Sequence, residues 1–284
     1  MNWIQSNGVS LRYDLREGGP RTVVLIHEMG GSLESWDPLW ARLAGHTLLR
    51  YDTRGAGLSE KITGQCSIDQ HVDDLAGLLA GLGIDGPVAL AGVAVGAAIA
   101  IRFAVRLPGK VSHLVAMAPA CGVAAEAREG VLARAQAIRE QGMTVVVDPL
   151  LERTWPANLR KPAEVFERFR HRWLGADPHG FAAVFSMLAN MNLDADIATL
   201  PARTVLVGGE FDQLRPPAEI QRLAALAPGI ETLSLRSGHF MPLQSPRTVA
   251  ALLEGFIGTE LAAAEILDAA RTLLGSGGQS GGEP

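Results

Sequence analysis

The feature that most constrains this chain is a repeating alternation of short strand-like runs, several of them wholly apolar or β-branched, with helical patterns. The runs are Thr22–Ile26 (TVVLI), Thr47–Tyr51 (TLLRY), Val88–Ala91, Val111–Ala116, Thr204–Val207 and Glu231–Leu235. Runs without polar alternation suit strands buried on both faces, as in a parallel sheet. Between them stand helical stretches around Trp36–Leu43, over Ile68–Leu82 and over Val95–Leu107, the last ended by Pro108. In Ile68–Leu82 the apolar residues Val72, Leu75, Leu78, Leu79 and Leu82 share one helical face. Strand and helix in such alternation predict an α/β chain with a mostly parallel, doubly wound sheet. At the start, Asn7-Gly8 is a hairpin signal between two short strands.

With 48% hydrophobic residues among 284, the chain has ample material for a large core, which excludes a disordered protein. Net charge is −5 with no dense run of Lys or Arg, so neither nucleic acid nor an anionic membrane is expected as a partner. No apolar stretch is long enough to span a bilayer, and the first residues lack the pattern of a signal peptide. Cys66 and Cys121 are the only cysteines and fit neither a disulfide framework nor a zinc site; a cytoplasmic setting without metal or cofactor is expected.

From Gly122 to Asn190 the strand signals mostly stop, and helical ones carry Trp155, Phe166, Phe169, Trp173, Phe181 and Phe185. This predicts a helical cap over residues 122–190, inserted into a core formed by residues 1–121 and 191–260. A terminal helix is expected over Thr259–Leu274, within a last segment, 261–284, that ends in a Gly/Ser tail.

The third core strand runs into Gly92-Val93-Ala94-Val95-Gly96 and then a helix. Two glycines around one central residue, at a strand-to-helix turn, are the pattern of a nucleophile elbow. Strain there lifts the central side chain above the sheet, at a helix N-terminus that favours developing negative charge. Hydrolases place Ser, Cys or Asp at that point; here it is Ala94. A GxAxG string alone is more often a plain tight turn than a site. Its setting argues otherwise. Asp212 follows the strand Thr204–Val207, and His239 follows Glu231–Leu235. The order elbow, Asp, His is that of the α/β-hydrolases, with Asp212 orienting the ring of His239 and His239 acting as general base above Ala94.

On these residues the chain resembles the α/β-hydrolase superfamily and, within it, 3-oxoadipate enol-lactonases. LLRYDTRGAGLS at 48–59 is similar to that family's second-strand segment, and Met29-Gly30-Gly31 with Trp36-Asp37-Pro38 to its oxyanion loop. SIDQHVDDLAGLLAGLGID, GMTVVVDPLLERTW and DPHGFAAVFSMLANMNLDADI extend the resemblance over roughly residues 5–257. It implies an α/β-hydrolase fold with a helical cap, a small-molecule substrate, and an oxyanion hole from the backbone N–H groups of Met29 and Val95. The family's Ser is Ala94 here, which puts a covalent acyl-enzyme in doubt. Position 28, commonly Gly, Ser or Ala in relatives, is Glu28. Pointed inward and ionised, Glu28 would repel an oxyanion; it could instead be protonated, bind a cationic group or activate water. The alternative is a side chain turned to solvent.

The remaining candidates have plainer readings. Cys121 suits a small buried hydrophobe and Cys66 an incidental loop residue. His27 suits a hydrogen-bonded scaffold; His46, His71, His113, His171 and His179 suit surface or capping positions. Asp52 and Arg54 are expected to brace the loop below the site. Arg153 suits either a solvated cap face or a contact with a substrate carboxylate. Three functions fit. One is a hydrolase of a small ester, lactone or related carbonyl compound whose nucleophile has become Ala94. Another is a natural non-covalent enzyme using His239 and Asp212, with Glu28 as partner. The last is a ligand-binding protein, against which the intact Asp212 and His239 argue.

Overall fold

The computed structural model describes residues 2–275 apart from 202 and 260, with side chains as far as 269. The strands are β1 (Asn2–Ser6), β2 (Val9–Arg16), β3 (Thr22–Ile26), β4 (Thr47–Tyr51), β5 (Val88–Val93), β6 (Val111–Met117), β7 (Thr204–Gly209) and β8 (Glu231–Leu235). They form one sheet in the order β1-β2-β4-β3-β5-β6-β7-β8. The pairs β1–β2 and β2–β4 are antiparallel and every other pair is parallel. Asn7 and Gly8 take φ of 47° and 78° in the first hairpin, the two positive values that a tight two-residue turn demands.

The apolar runs of β3, β5 and β7 are buried on both faces, as their lack of alternation requires, whereas β8, at the sheet edge, is buried only at Leu235. In β3, Val24 and Ile26 join one core layer, whereas Val23 and Leu25 join the other. The first layer holds Val72 and Leu75 of the helix Ile68–Gly81, Ile99 and Phe103 of Val95–Arg106, and Leu223 of Pro217–Ala225. The opposite layer holds Leu39, and Val249, Leu253 and Phe256 of the helix Pro246–Gly258. The sheet is therefore covered on both sides, and its strand ends are left to form the site.

Between β6 and β7 lie the helices Arg128–Gln141, Val147–Thr154, Ala163–Leu174 and Pro178–Asn190. The segment is closed at its base by a bridge between Gly122 and Asn192. Its aromatics are mostly core. Trp155, Phe169 and Trp173 pack on Phe240, with the Phe169 and Phe240 rings 4.5 Å apart. The cap is thereby tied to the residue that follows His239.

Two local expectations are corrected. The terminal helix does not begin at Thr259: the chain makes Pro246–Gly258, breaks at Thr259 in extended conformation, and resumes as Ala263–Gly275. The Gly/Ser tail from residue 276 onward lies outside the described residues. His46, His71 and His113 are buried rather than at the surface, and burial pulls the His71 imidazole down to about 3. Among the described residues no helix is long and apolar enough to cross a membrane.

Candidate active site

The site begins at the turn after β5. Ala94 has φ 52° and ψ −111°, a conformation that costs an L-residue roughly 1–3 kcal/mol. Its surroundings enforce it. The Ala94 N–H donates to Met117 O at 2.9 Å, and its carbonyl accepts from Ala98 and Ala120, each at 3.1 Å. Both flanking glycines answer to close approach. A Cβ on Gly92 would lie 2.4 Å from the Gly96 carbonyl, and one on Gly96 would lie 2.2 Å from Ile26 O. The elbow is fully built, and its central side chain is a methyl group.

Asp212 and His239 come from loops after β7 and β8 and meet with Nδ1···Oδ2 at 2.6 Å. The other Asp212 oxygen accepts from the N–H groups of Leu214 at 2.8 Å and Arg215 at 3.0 Å. Burial pushes the Asp212 carboxyl up, but the His239 charge and hydrogen bond, with the two N–H groups, outweigh it and hold the carboxyl below its ordinary value. The backbone of His239 is anchored to the cap through its N–H, which donates to Thr154 O at 2.9 Å. A Cβ on Gly238 would come within 2.5 Å of that same oxygen, so glycine lets the His loop reach the cap. Nε2 of His239 has no protein partner among the described residues, and the residue lines the same cavity as Ala94.

That cavity, about 470 Å³, lies between elbow and cap and has the size usual for a small-molecule site. Met29 and Val95 line it, and neither backbone N–H donates to any atom of the described residues. Its apolar wall includes Leu150, Trp173, Phe185, Leu188 and Phe240. Three arginines also line it, Arg134, Arg153 and Arg215, none of them ion-paired among the described residues. Arg153 donates to Gln213 O at 3.2 Å, whereas half-buried Arg215 donates to Gly122 O at 3.1 Å. Burial lowers the pKa of the Arg215 guanidinium. Arg134 and Arg215 were not singled out from the sequence. Arg215 stands three residues past Asp212, in the loop that carries the acid, and that position was the available signal; Arg134 looks like any other helix arginine.

Glu28 is not turned to solvent. It is 2% exposed, lines the cavity, and accepts from the Ser35 hydroxyl at Oε1, 2.8 Å away. The solvated alternative fails because the backbone at 28 is pinned: the Glu28 carbonyl accepts from Gly31 N–H at 3.0 Å and from His27 Nδ1 at 2.7 Å. His27 is the expected scaffold. Its Nε2 accepts from Thr53 N–H at 3.0 Å, so the ring hydrogen must be on Nδ1 and is donated to Glu28. Asp52 braces the loop below by accepting from Leu33 and Leu58 N–H, both at 2.7 Å, and Arg54 pairs with Asp74. Neither cysteine serves the site. Burial pushes the Cys121 thiol up to about 12 and Cys66 up to about 11, and neither lines the cavity.

Comparison with known proteins agrees with this architecture. Residues 20–238 match the serine aminopeptidase S33 family of hydrolases. The chain is 27% identical over 274 residues to a 2-hydroxy-6-oxo-2,4-heptadienoate hydrolase of Pseudomonas putida, covering 87% of this chain and 92% of that protein. It is 23% identical over 228 residues to 3-oxoadipate enol-lactonase 2 of Acinetobacter baylyi, covering 79% and 84%. The fold is similar to a solved enol-lactonase from Burkholderia xenovorans, with TM-score 0.83, 23% identity and coverage of 91% and 100%. A thermophilic esterase from Thermogutta terrifontis gives TM-score 0.85 at 24% identity, covering 91% and 98%. Sheet order, elbow and family match lead to one conclusion: the chain belongs to the serine aminopeptidase S33 family and is an α/β-fold hydrolase.

Proposed function

We propose that this protein hydrolyses a small ester, lactone or related carbonyl compound bearing a carboxylate, with His239 drawing the proton from a water molecule above Ala94. The observation that carries this reading is the Asp212–His239 pair, held at 2.6 Å with Nε2 left free in a cavity that also contains a methyl group where a nucleophile would stand. Asp212 fixes the ring hydrogen on Nδ1, so Nε2 is the acceptor. The unpartnered N–H groups of Met29 and Val95 suit a carbonyl oxygen as it gains charge. Three arginines with no ion pair among the described residues, set in a largely apolar wall, select an apolar body with an anionic end, since each guanidinium offers a carboxylate a planar pair of donors. In this reading residues 122–190 are the cap that closes over the substrate. The relatives act on compounds of this kind by name, a dienoate and an enol-lactone.

A second reading rests on the elbow. Ala94 keeps a strained conformation that alanine has no need of, as expected where a serine has been replaced. Ala94→Ser separates the two. Under direct water attack, the parent protein turns over lactones or esters without an acyl-enzyme, and His239→Ala abolishes turnover. Under loss of serine, the parent is inert, and Ala94→Ser raises activity by about 100-fold or more with a covalent acyl adduct visible by mass spectrometry. If the parent only binds ligands, independently of His239, and Ala94→Ser is inert, both readings fail.

A further inference from the structure

The cavity holds a second buried polar group that a serine-type site would not need. Only one oxygen of the Glu28 carboxyl is satisfied by protein, through Ser35; the other has no partner among the described residues, although the residue is 2% exposed and lines the cavity with His239 and Ala94. Buried carboxyl groups are ordinarily hydrogen-bonded, so a free oxygen on a residue that lines a cavity indicates a ligand. The position is also built. The Glu28 side chain folds over Gly31, where a Cβ would lie 2.2 Å from Oε1 and 2.9 Å from Ser35 Oγ. Any larger residue at 31 would expel the carboxyl. Its main-chain carbonyl is fixed at the same time by His27 and Gly31.

A serine hydroxyl has one hydrogen to give and needs one acceptor. A water molecule has two. The cavity that Ala94 lines is also lined by two residues that each carry an acceptor without a partner among the described residues, His239 at Nε2 and Glu28 at Oε2. We propose that Glu28 is a catalytic residue that, with His239, holds the attacking water by accepting its second hydrogen bond. This rests on the water-attack reading above. The water oxygen forms the bond to the carbonyl carbon as its first proton passes to Nε2, and the carbonyl π pair moves onto oxygen, facing Met29 and Val95 N–H. His239 then returns that proton to the leaving oxygen as the carbon–oxygen bond breaks, giving the acid and the alcohol. Glu28 neither gives nor takes a proton in these steps, and the second water hydrogen stays on the acid formed until it ionises into solvent. A carboxylate beside the site disfavours the oxyanion, but it favours the imidazolium that forms in the same step and aims the water lone pair at the carbon.

The test is Glu28→Gln and Glu28→Ala beside His239→Ala, in the Ala94 protein and again with Ala94→Ser, with thermal unfolding to confirm each variant is folded. Using a small uncharged lactone, the expected result is a kcat loss of about 100-fold or more for either Glu28 variant, with KM within about threefold. In the Ala94→Ser background, where Oγ replaces the water in acylation, the same change should cost acylation less than about tenfold. A second readout needs no turnover. A trifluoromethyl ketone should bind the parent as its hydrate, seen by fluorine NMR, and both Glu28 variants should bind it at least about tenfold more weakly. Loss with His239→Ala but near-parental kcat and hydrate binding with Glu28→Gln would overturn the role of Glu28 and leave the function standing. A parent activity indifferent to His239 would sink the reading beneath it instead.

Discussion

Replacing Asp212 by Asn changes one oxygen for an NH2 group, and the structure dictates where that group must go. Oδ1 of Asp212 receives two backbone N–H groups, from Leu214 at 2.8 Å and Arg215 at 3.0 Å, so an amide nitrogen there would face two donors. The amide oxygen takes that place, and the NH2 is driven to the position of Oδ2, 2.6 Å from His239 Nδ1. Nδ1 must then accept, the ring hydrogen moves to Nε2, and the nitrogen facing the cavity can no longer take a proton. Wrong-tautomer sites of this design lose about 10⁴ in kcat, or about 5.5 kcal/mol of barrier. The loss of fold stability is smaller, on the order of 1.5–3 kcal/mol, the net worth of a hydrogen bond to a charged group. The assay is kcat with a small lactone or ester, run beside nitrogen NMR of the labelled imidazole. An Asp212→Asn protein with hydrogen on Nε2 and turnover within tenfold of the parent would refute the reasoning, because the base would then be dispensable.

Phe240→Ala removes a fully buried ring that packs against Trp155, Phe169 and Trp173, at a cost of about 3–5 kcal/mol to stability. Because Phe240 follows His239, kcat should fall along with the thermal midpoint; a stability loss with unchanged kcat would show that the cap does not position the base. His71 is buried with its pKa lowered to about 3, so from about pH 6.5 down to 3 the unfolded chain binds the extra proton. Stability from keeping His71 neutral is present above that window and is lost as pH falls, by about 1.4 kcal/mol per unit. His71→Leu should flatten the slope of unfolding free energy, measured by urea titration between pH 6 and 4; an unchanged slope would contradict the assignment.

Much of the fold was legible because its signals are local. A continuous apolar run such as TVVLI must be buried on both faces, and a strand–helix alternation leaves few ways to do that. Ala94, Asp212 and His239 were legible too, each from its place at the end of a strand, and the geometry brings Asp212 and His239 together. The start of the last helix, expected at Thr259 and found at Ala263, was not, because local sequence does not show which turn first packs on the helix before it and on the sheet. The buried histidines 46, 71 and 113 escaped for a related reason: a single polar residue in a local pattern does not reveal whether the next layer covers it.

The sequence by itself pointed to an elbow at Gly92–Gly96 with a methyl at its centre, since two glycines at a strand-to-helix turn suit close backbone approach and Asp212 and His239 follow later strands in the order such a site needs. Only the tertiary structure decided which way Glu28 points, and that Arg134, Arg153 and Arg215 share a cavity. Arg134 and Arg153 come from cap helices and Arg215 from a loop after β7, so their meeting depends on the cap closing over the sheet. The direction of Glu28 depends on Ser35 and on the space above Gly31. Convergence of distant segments is set by packing, and no local pattern of residues records it.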